Sequence, residues 1–397
     1  MKRMYLGHYK SKDKIYMLYN KDVKVLKFVN PESVLKDVSV LEVYRTDLVP
    51  YRIKYNIDLL DTWLRERPVP PNRNHIEKLL ESVGITQYDH MKLLEVNNGC
   101  SLNDTYWIKE VKPNEDLDYH KESFNEVSLY RGFKDSLGLV SFFGNTSTLG
   151  GNLKTPEVTT QGMLGKAWRI VDGRIKLYKS GTSGYANAGL EPYMEVIASN
   201  VADIINLTHI LYKLDYWKGK VCCVCDLFTD EDIGYLSMAE YLKSEIGETT
   251  KWTYNTLTKY LSKDSMDKIN DMIVFDYIIE NTDRHFNNFG FTINNNSREI
   301  IDIAPLFDHG MSLHWNKIPS IDDYDKHLTN KGTLDVNNSS IAKEIIKLNP
   351  KKYKSWVKKL RLNIDKLDEV INELPDVNRR KWVKNLLIDR CEIISNL

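Results

Sequence analysis

Residues 265–281, SMDKINDMIVFDYIIEN, place apolar side chains on nearly every face of a helix, so this helix has to lie inside its domain. It runs straight into NTDRHFNNFGF at 281–291, and a further carboxylate follows in IIDIAPLFDHG at 300–310. Charged and carboxamide side chains beside a core cost free energy unless they are paired or put to use. A chain that sets Asp283, Arg284, His285 and Asn288 directly after its most apolar helix, and Asp308 after a short hairpin, has to fold so that these groups meet partners.

At 397 residues the chain exceeds one small core and predicts two or three domains. Its 42% hydrophobic and 28% charged residues are those of a globular protein. Lys+Arg and Asp+Glu both number 55, and this zero balance argues against a dedicated nucleic-acid binder. No apolar stretch follows the basic start MKRMYLGHYKSKDK, which speaks against a secretory signal. Charges interrupt the apolar runs, as Asp276 interrupts MIVFDYII, well short of the roughly 20 residues a membrane span needs. A cytosolic protein without membrane partner is expected. The five cysteines (Cys100, Cys222, Cys223, Cys225, Cys391) lack a second ligand pair at zinc spacing, so VCCVC reads as a buried strand.

Three blocks follow from the pattern. In 1–150, KIYMLYN and VKVLKFV alternate as strands joined by KD; NIDLLDTWLRER reads as a helix capped by Asn56, and NRNHIEKLLESVG as a helix capped by Asn74 or Asn72 and ended by Gly84. SLNDTYWIKE, 101–110, polar and aromatic together, reads as a surface turn entering a strand, with contact to a neighbouring lobe or a substrate as the alternative. In 151–229, KAWRIV and RIKLYK flank Asp-Gly, a hairpin signal; EPYMEVIASNVADIINL reads as a helix with Pro192 in its first turn. VCCVCDLFT closes that block as a strand buried on both faces. Block 230–397 is mostly helical, apart from the strands FGFTI and EIIDI joined by NNNS, and its Lys-rich helix faces read as solvated surface.

The chemistry lies in the order of the pieces. Asp283 precedes Asn288 by the interval that separates catalytic Asp from metal-binding Asn in protein kinases, where the loop must turn back so that both face one phosphate. Asp308-His309-Gly310 supplies a second carboxylate after a hairpin, and Asp302 is a weaker alternative ligand. Mg²⁺ prefers such hard oxygen ligands together with phosphates and waters. Lys179 ends a strand, and Glu195 lies about one helical turn into the helix that follows; a strand Lys braced by a helix Glu aims its ammonium at nucleotide phosphates. Glu191, one turn earlier, shares the face of Glu195 but sits beside Pro192, so Glu195 is favoured. Gly162 and Gly165 in TTQGMLGKAW allow close backbone approach, as a phosphate-covering loop requires. The backbone around Asp226 to Phe228 lies where adenine would be hydrogen-bonded.

TTQGMLGKAWRI, LYKSG, EPYMEVIAS, NTDRHFNNFGF and IAPLFDHG together resemble the HipA-like Ser/Thr kinases, over roughly 150–320. The resemblance implies an α+β, bilobal protein-kinase-like fold, related at a distance to the phosphatidylinositol kinases, with an extra N-terminal α+β domain at 1–150 for substrate or partner. The small lobe would be 151–229 and the large lobe 230–397. It implies ATP and Mg²⁺, a protein Ser or Thr hydroxyl as acceptor, Asp283 as catalytic Asp, Asn288 and Asp308 as metal ligands, and Lys179 on the nucleotide. In some members the phosphate loop phosphorylates itself; this loop offers Thr159 and Thr160 but no serine. Many relatives are toxins silenced by a small DNA-binding antitoxin, which would be the partner here. A small-molecule or lipid kinase on the same fold, and a catalytically silent binding scaffold, remain open readings. A metallophosphoesterase would need more ligands than DRH and DHG provide.

Overall fold

The alternation in KIYMLYN and VKVLKFV produces a hairpin: Lys14–Asn20 pairs antiparallel with Val23–Asn30, Asn20 opposite Val23 across Lys21 and Asp22. Strands Ser39–Val43 and Tyr106–Glu110 flank the pair and complete a four-stranded sheet. Side chains of period two supply both faces. Tyr16, Leu18, Leu26 and Phe28 join Trp63, Leu64 and Met91 in one core, while Met17 and Tyr19 join Trp107, Phe124 and Leu129 in another. In the Asp-Gly hairpin, Lys166–Val171 and Arg174–Ser180 are joined through Asp172 at φ 51° and Gly173 at φ 72°, two consecutive left-handed residues that match the right-handed twist of the strands.

The computed structural model describes residues 13–31, 37–112, 122–145, 149, 153–184, 188–247, 252–316 and 338–397. Two compact units emerge: the first from 13–176, 227–247 and 291–301, the second from 177–226, 252–290 and 302–397. These boundaries are not those of the three expected blocks. The chain returns to the first unit twice, and there the buried Asn20 amide donates to the Asn295 carbonyl at 2.7 Å and Tyr235 N–H to the Asn103 carbonyl at 2.7 Å. Local periodicity reports a strand but not which unit it joins.

In the first unit, Asn56 caps its turn as expected, its side chain accepting from Asp58 N–H at 3.1 Å. The second helix departs from expectation. It begins at Ile76 after His75 in the left-handed region at φ 65°, with no side-chain cap from Asn72 or Asn74. Asn74 N–H donates to the Met163 carbonyl, 2.8 Å away, and His75 takes the N-cap position. SLNDTYWIKE enters a strand, but its turn is buried and not a surface feature: Ser101, Thr105 and Trp107 are covered, and Arg67 grips Asp104 with two bonds of 2.7 Å.

Burial also acts on Glu157, which accepts from Thr155 and from Trp168 N–H and whose carboxyl it pushes up to about 7 from 4.5. Between those values the folded chain holds a proton that the unfolded chain has released. Stability should therefore fall as pH rises through that window, by up to about 3 kcal/mol, and level off above it. Urea unfolding at about pH 5 and pH 8 checks this; Glu157→Gln should lack the decline, and an equal decline in that variant would assign it to another group.

In the second unit, Tyr212–Trp217 and Lys220–Asp226 form an antiparallel pair with Tyr212 opposite Cys225. Cys222, Cys223, Val224 and Cys225 are consecutively buried, and the cysteines are free thiols, as the continuous apolar run predicts. Helix Glu191–Ile205 packs on this pair, and helix Lys263–Ile279 lies against Asn338–Leu348 and Val377–Asn396. In the central helix everything from Met272 to Ile279 is buried, Asp276 included. Among the described residues no helix is long and apolar enough to cross a membrane.

Candidate active site

Lys179 is the penultimate residue of strand Arg174–Ser180 and is 5% exposed. Its ammonium lies 2.7 Å from Glu195 Oε2 and 2.5 Å from Asp308 Oδ1. Burial alone would lower its pKa, but Asp308 and Glu195 outweigh that and hold it well above the ordinary lysine value. Glu195 works at both ends, since its Oε1 accepts the His309 backbone N–H at 2.6 Å. Glu191, the other candidate on that helix face, serves the loop after the strand by accepting Thr182 N–H at 3.1 Å.

Asp308 reaches Lys179 because its segment is stitched in place. Leu306 N–H donates to the Thr208 carbonyl at 3.2 Å, and Ile210 N–H to the Leu306 carbonyl at 2.8 Å. Asp308 itself is left-handed at φ 60°, a conformation Asp tolerates at some cost and that surrounding structure must impose. Gly310 follows because nothing larger fits well: a Cβ there would sit 3.2 Å from Glu195 Oε2 and 3.2 Å from Glu191 Cβ.

The loop after the central helix is held by Arg284, which is fully buried. Its guanidinium forks onto Asp276 at 3.0 and 3.1 Å and donates to the carbonyls of Asn288 at 2.8 Å and Phe307 at 2.6 Å and to His309 Nδ1 at 2.8 Å. One side chain thus ties the Asp283 loop, the Asp308 segment and the central helix together. Thr282 N–H adds a bond of 3.1 Å to the Met311 carbonyl, and Leu313 N–H one of 2.8 Å to Ile279. Burial, and then charges led by His285 and Asp308, set the Asp283 carboxyl, with a net shift upward. The Asn288 amide donates to the Asp283 carbonyl at 3.0 Å, which turns its oxygen the other way.

The residues suit a hard divalent cation. Lys179 and Arg284, two cations, face four carboxylates, Glu195, Asp308, Asp283 and Asp276. A divalent ion offsets that excess, and Asp308 with the Asn288 oxygen offers the donors Mg²⁺ takes alongside phosphates and waters. Asp302, the alternative ligand, is instead bonded to Lys268.

Of the residues the sequence singles out, Lys179, Glu195, Asp226, Asp283, Asn288 and Asp308 belong to the second unit, whereas Gly162, Gly165 and Phe228 belong to the first. Gly162 has φ 95°, which favours glycine. Phe228 packs edge-on to Tyr235, and the Leu227 N–H of the expected adenine-binding stretch donates to the Ile175 carbonyl at 3.0 Å. Sequence reasoning missed Arg284, His309 and Asp276. The signal was Asp276 itself, since an acid inside an all-round apolar helix requires a buried cation.

Thr159 is 3% exposed and donates to the Cys100 carbonyl at 2.7 Å; Thr160 donates to the Pro156 carbonyl at 2.8 Å and accepts Trp168 Nε1 at 3.0 Å. Both hydroxyls are spent inside the unit. Mass spectrometry after incubation with MgATP should find no phosphate on either; a phosphothreonine at 159 or 160 would show that this loop opens.

No family model and no curated protein matches the sequence. Two solved structures are similar. The Helicobacter pylori proinflammatory kinase CtkA has a TM-score of 0.51 at 18% identity, covering 61% of this chain and 94% of its own. HipA of Shewanella oneidensis MR-1, solved with HipB and its operator DNA, has a TM-score of 0.52 at 11% identity, covering 96% of this chain and 99% of its own. The fold is therefore a kinase fold that mixes helices and strands. More narrowly, it is the HipA-like kinase fold.

Proposed function

We propose that the chain is an ATP- and Mg²⁺-dependent phosphotransferase that moves the γ-phosphoryl group of ATP to a Ser or Thr hydroxyl of a protein. One observation carries the reading: a buried lysine ammonium held at once by a helix glutamate, 2.7 Å away, and by the aspartate of a D-x-G turn, 2.5 Å away. A lysine serving fold stability alone has no need of two carboxylates on separate segments, one of them in a left-handed conformation.

In this reading Lys179 meets the nucleotide phosphates and Glu195 keeps it aimed. Asp283, partly buried and the first residue of the loop that Arg284 fixes, orients the acceptor hydroxyl and takes its proton. Asp308 and Asn288 would hold Mg²⁺, which would supply charge stabilisation to the phosphates. The raised Asp283 pKa suits an acceptor of protons.

Transfer of label from γ-³²P-ATP to a protein extract tests the proposal, with Asp283→Ala as the control; undiminished labelling by that variant would remove Asp283 from the reaction. Label passing only to small molecules or lipids would move the acceptor to that class. The HipA neighbour is held in a complex with HipB and DNA. We extend to this chain the expectation of a small DNA-binding partner and of a toxin's role in the cytoplasm. Co-purification with a helix-turn-helix protein encoded beside it supports that extension, and failure of such a protein to bind removes it.

A further inference from the structure

Asp276 in the central helix and Glu280 at its C-terminal cap are buried carboxylates four residues apart. Asp276 is taken by Arg284 of the loop that follows. Glu280 has partners from much further along the chain. Its Oε1 lies 3.2 Å from His314 Nδ1, and its Oε2 lies 3.3 Å from Arg390 of the last helix, Val377–Asn396. His314 and Arg390 are buried too, and the Arg390 guanidinium lies over the Tyr277 ring, 4.3 Å from its centre. The last helix reaches His314 a second time through buried Arg379, which donates to the His314 carbonyl at 2.7 Å. All of these residues belong to the second unit, together with Asp283 and Asp308.

Glu280 precedes Asp283 by three residues, and His314 follows Asp308 by six. The contact between them therefore joins the end of the helix that launches the Asp283 loop to the end of the segment that carries Asp308. The backbone is left-handed on both sides of it, at φ 50° in Glu280, 53° in Leu313 and 58° in His314. Side chains with a Cβ adopt this conformation at a cost, so the surrounding structure has to impose it.

We infer that Glu280, held by His314 and Arg390, is a clamp that sets the separation of Asp283 and Asp308, and that the last helix thereby governs the transfer step. The clamp acts through geometry, since desolvation offsets most of the attraction within a buried ion pair. The inference rests on the kinase reading, which gives Asp283 the acceptor hydroxyl and Asp308 the cation. Glu280, His314 and Arg390 are positioning residues and touch no reacting atom. A displaced acceptor slows transfer more than it weakens ATP binding, because Lys179 and Glu195 lie on other segments.

The test uses the full chain, with label transfer from γ-³²P-ATP to a protein extract at varied ATP, and amide hydrogen exchange as a second readout. His314→Ala should lower kcat about tenfold and leave KM for ATP within about twofold. Exchange should quicken at Thr282 and Leu313, whose N–H groups bond across to Met311 and Ile279. Asparagine tolerates the left-handed backbone and offers a side-chain N–H in place of Nδ1, so His314→Asn should recover kcat to within about threefold of wild type and restore slow exchange. Unchanged kcat and exchange in His314→Ala, or an Asn variant as slow as the Ala variant, overturn the clamp. Arg390→Lys keeps the buried charge and carries the test where His314→Ala folds poorly; wild-type kcat and exchange in that variant overturn the clamp as well. Absence of phosphoryl transfer by the wild-type chain overturns the kinase reading instead, and is seen before any variant is made.

Discussion

Asp308→Asn should lower the rate of phosphoryl transfer about a thousandfold, a barrier increase of about 4 kcal/mol, while leaving the fold intact. Asparagine tolerates the left-handed conformation at φ 60° as aspartate does, so the backbone turn survives the exchange. What is lost is the charge. Lys179 keeps Glu195 at 2.7 Å but loses its second carboxylate, and in the proposed reaction Mg²⁺ would lose the one anionic ligand of the Asp308 and Asn288 pair. Because the interaction matters most where charge develops on the transferring group, kcat should fall far more than ATP affinity. Steady-state kinetics alongside a thermal melt separate the cases. More than a tenth of wild-type kcat in a normally folded Asp308→Asn would remove this residue from the metal site.

The second large effect concerns stability. Arg284→Met should destabilise the chain by about 3–5 kcal/mol, because Asp276, 2% exposed, is left as a buried charge without its partner. Replacing both, as Asp276→Leu with Arg284→Met, removes the two charges together and should recover at least about 2 kcal/mol of that loss. Recovery stays partial, since the carbonyls of Asn288 and Phe307 and Nδ1 of His309 still lose their donor. Guanidinium unfolding of the four proteins gives the coupling directly; additive losses would mean that the fork onto Asp276 contributes nothing as a pair. The doubly substituted protein should fold yet transfer phosphate poorly, because the Thr282 bonds to the Met311 carbonyl then tie the Asp283 loop to the Asp308 segment without Arg284.

These two residues mark the limit of what periodicity reveals. Asp308 stood out because a carboxylate two positions before a glycine, after a hairpin, has a chemical meaning in sequence order. Arg284 sits in the same cluster and is the more deeply buried of the two, yet DRH says nothing about which partner each member takes. The same holds for Asn74, a good cap by type, whose N–H the fold commits to Met163. A cap is a local choice, and here the helix starts one residue later, with His75 at its N-cap.

What the sequence determined by itself were the elements and their order: the Asp-Gly hairpin, the all-round apolar helix, the continuous strand VCCVC and the sequence of lysine, glutamate and aspartates that reads as phosphate chemistry. Side-chain periods of two and 3.6 and the turn preferences of Asp and Gly are properties of a few neighbouring residues, so they are written locally. Tertiary structure alone decided that Lys179 takes Glu195 and Asp308 together, that Asp276 and Arg284 pair in the core, and that the chain returns twice to its first unit. Those outcomes depend on the cost of burying unpaired charge and on contacts between residues as many as 275 positions apart, and no local pattern encodes either.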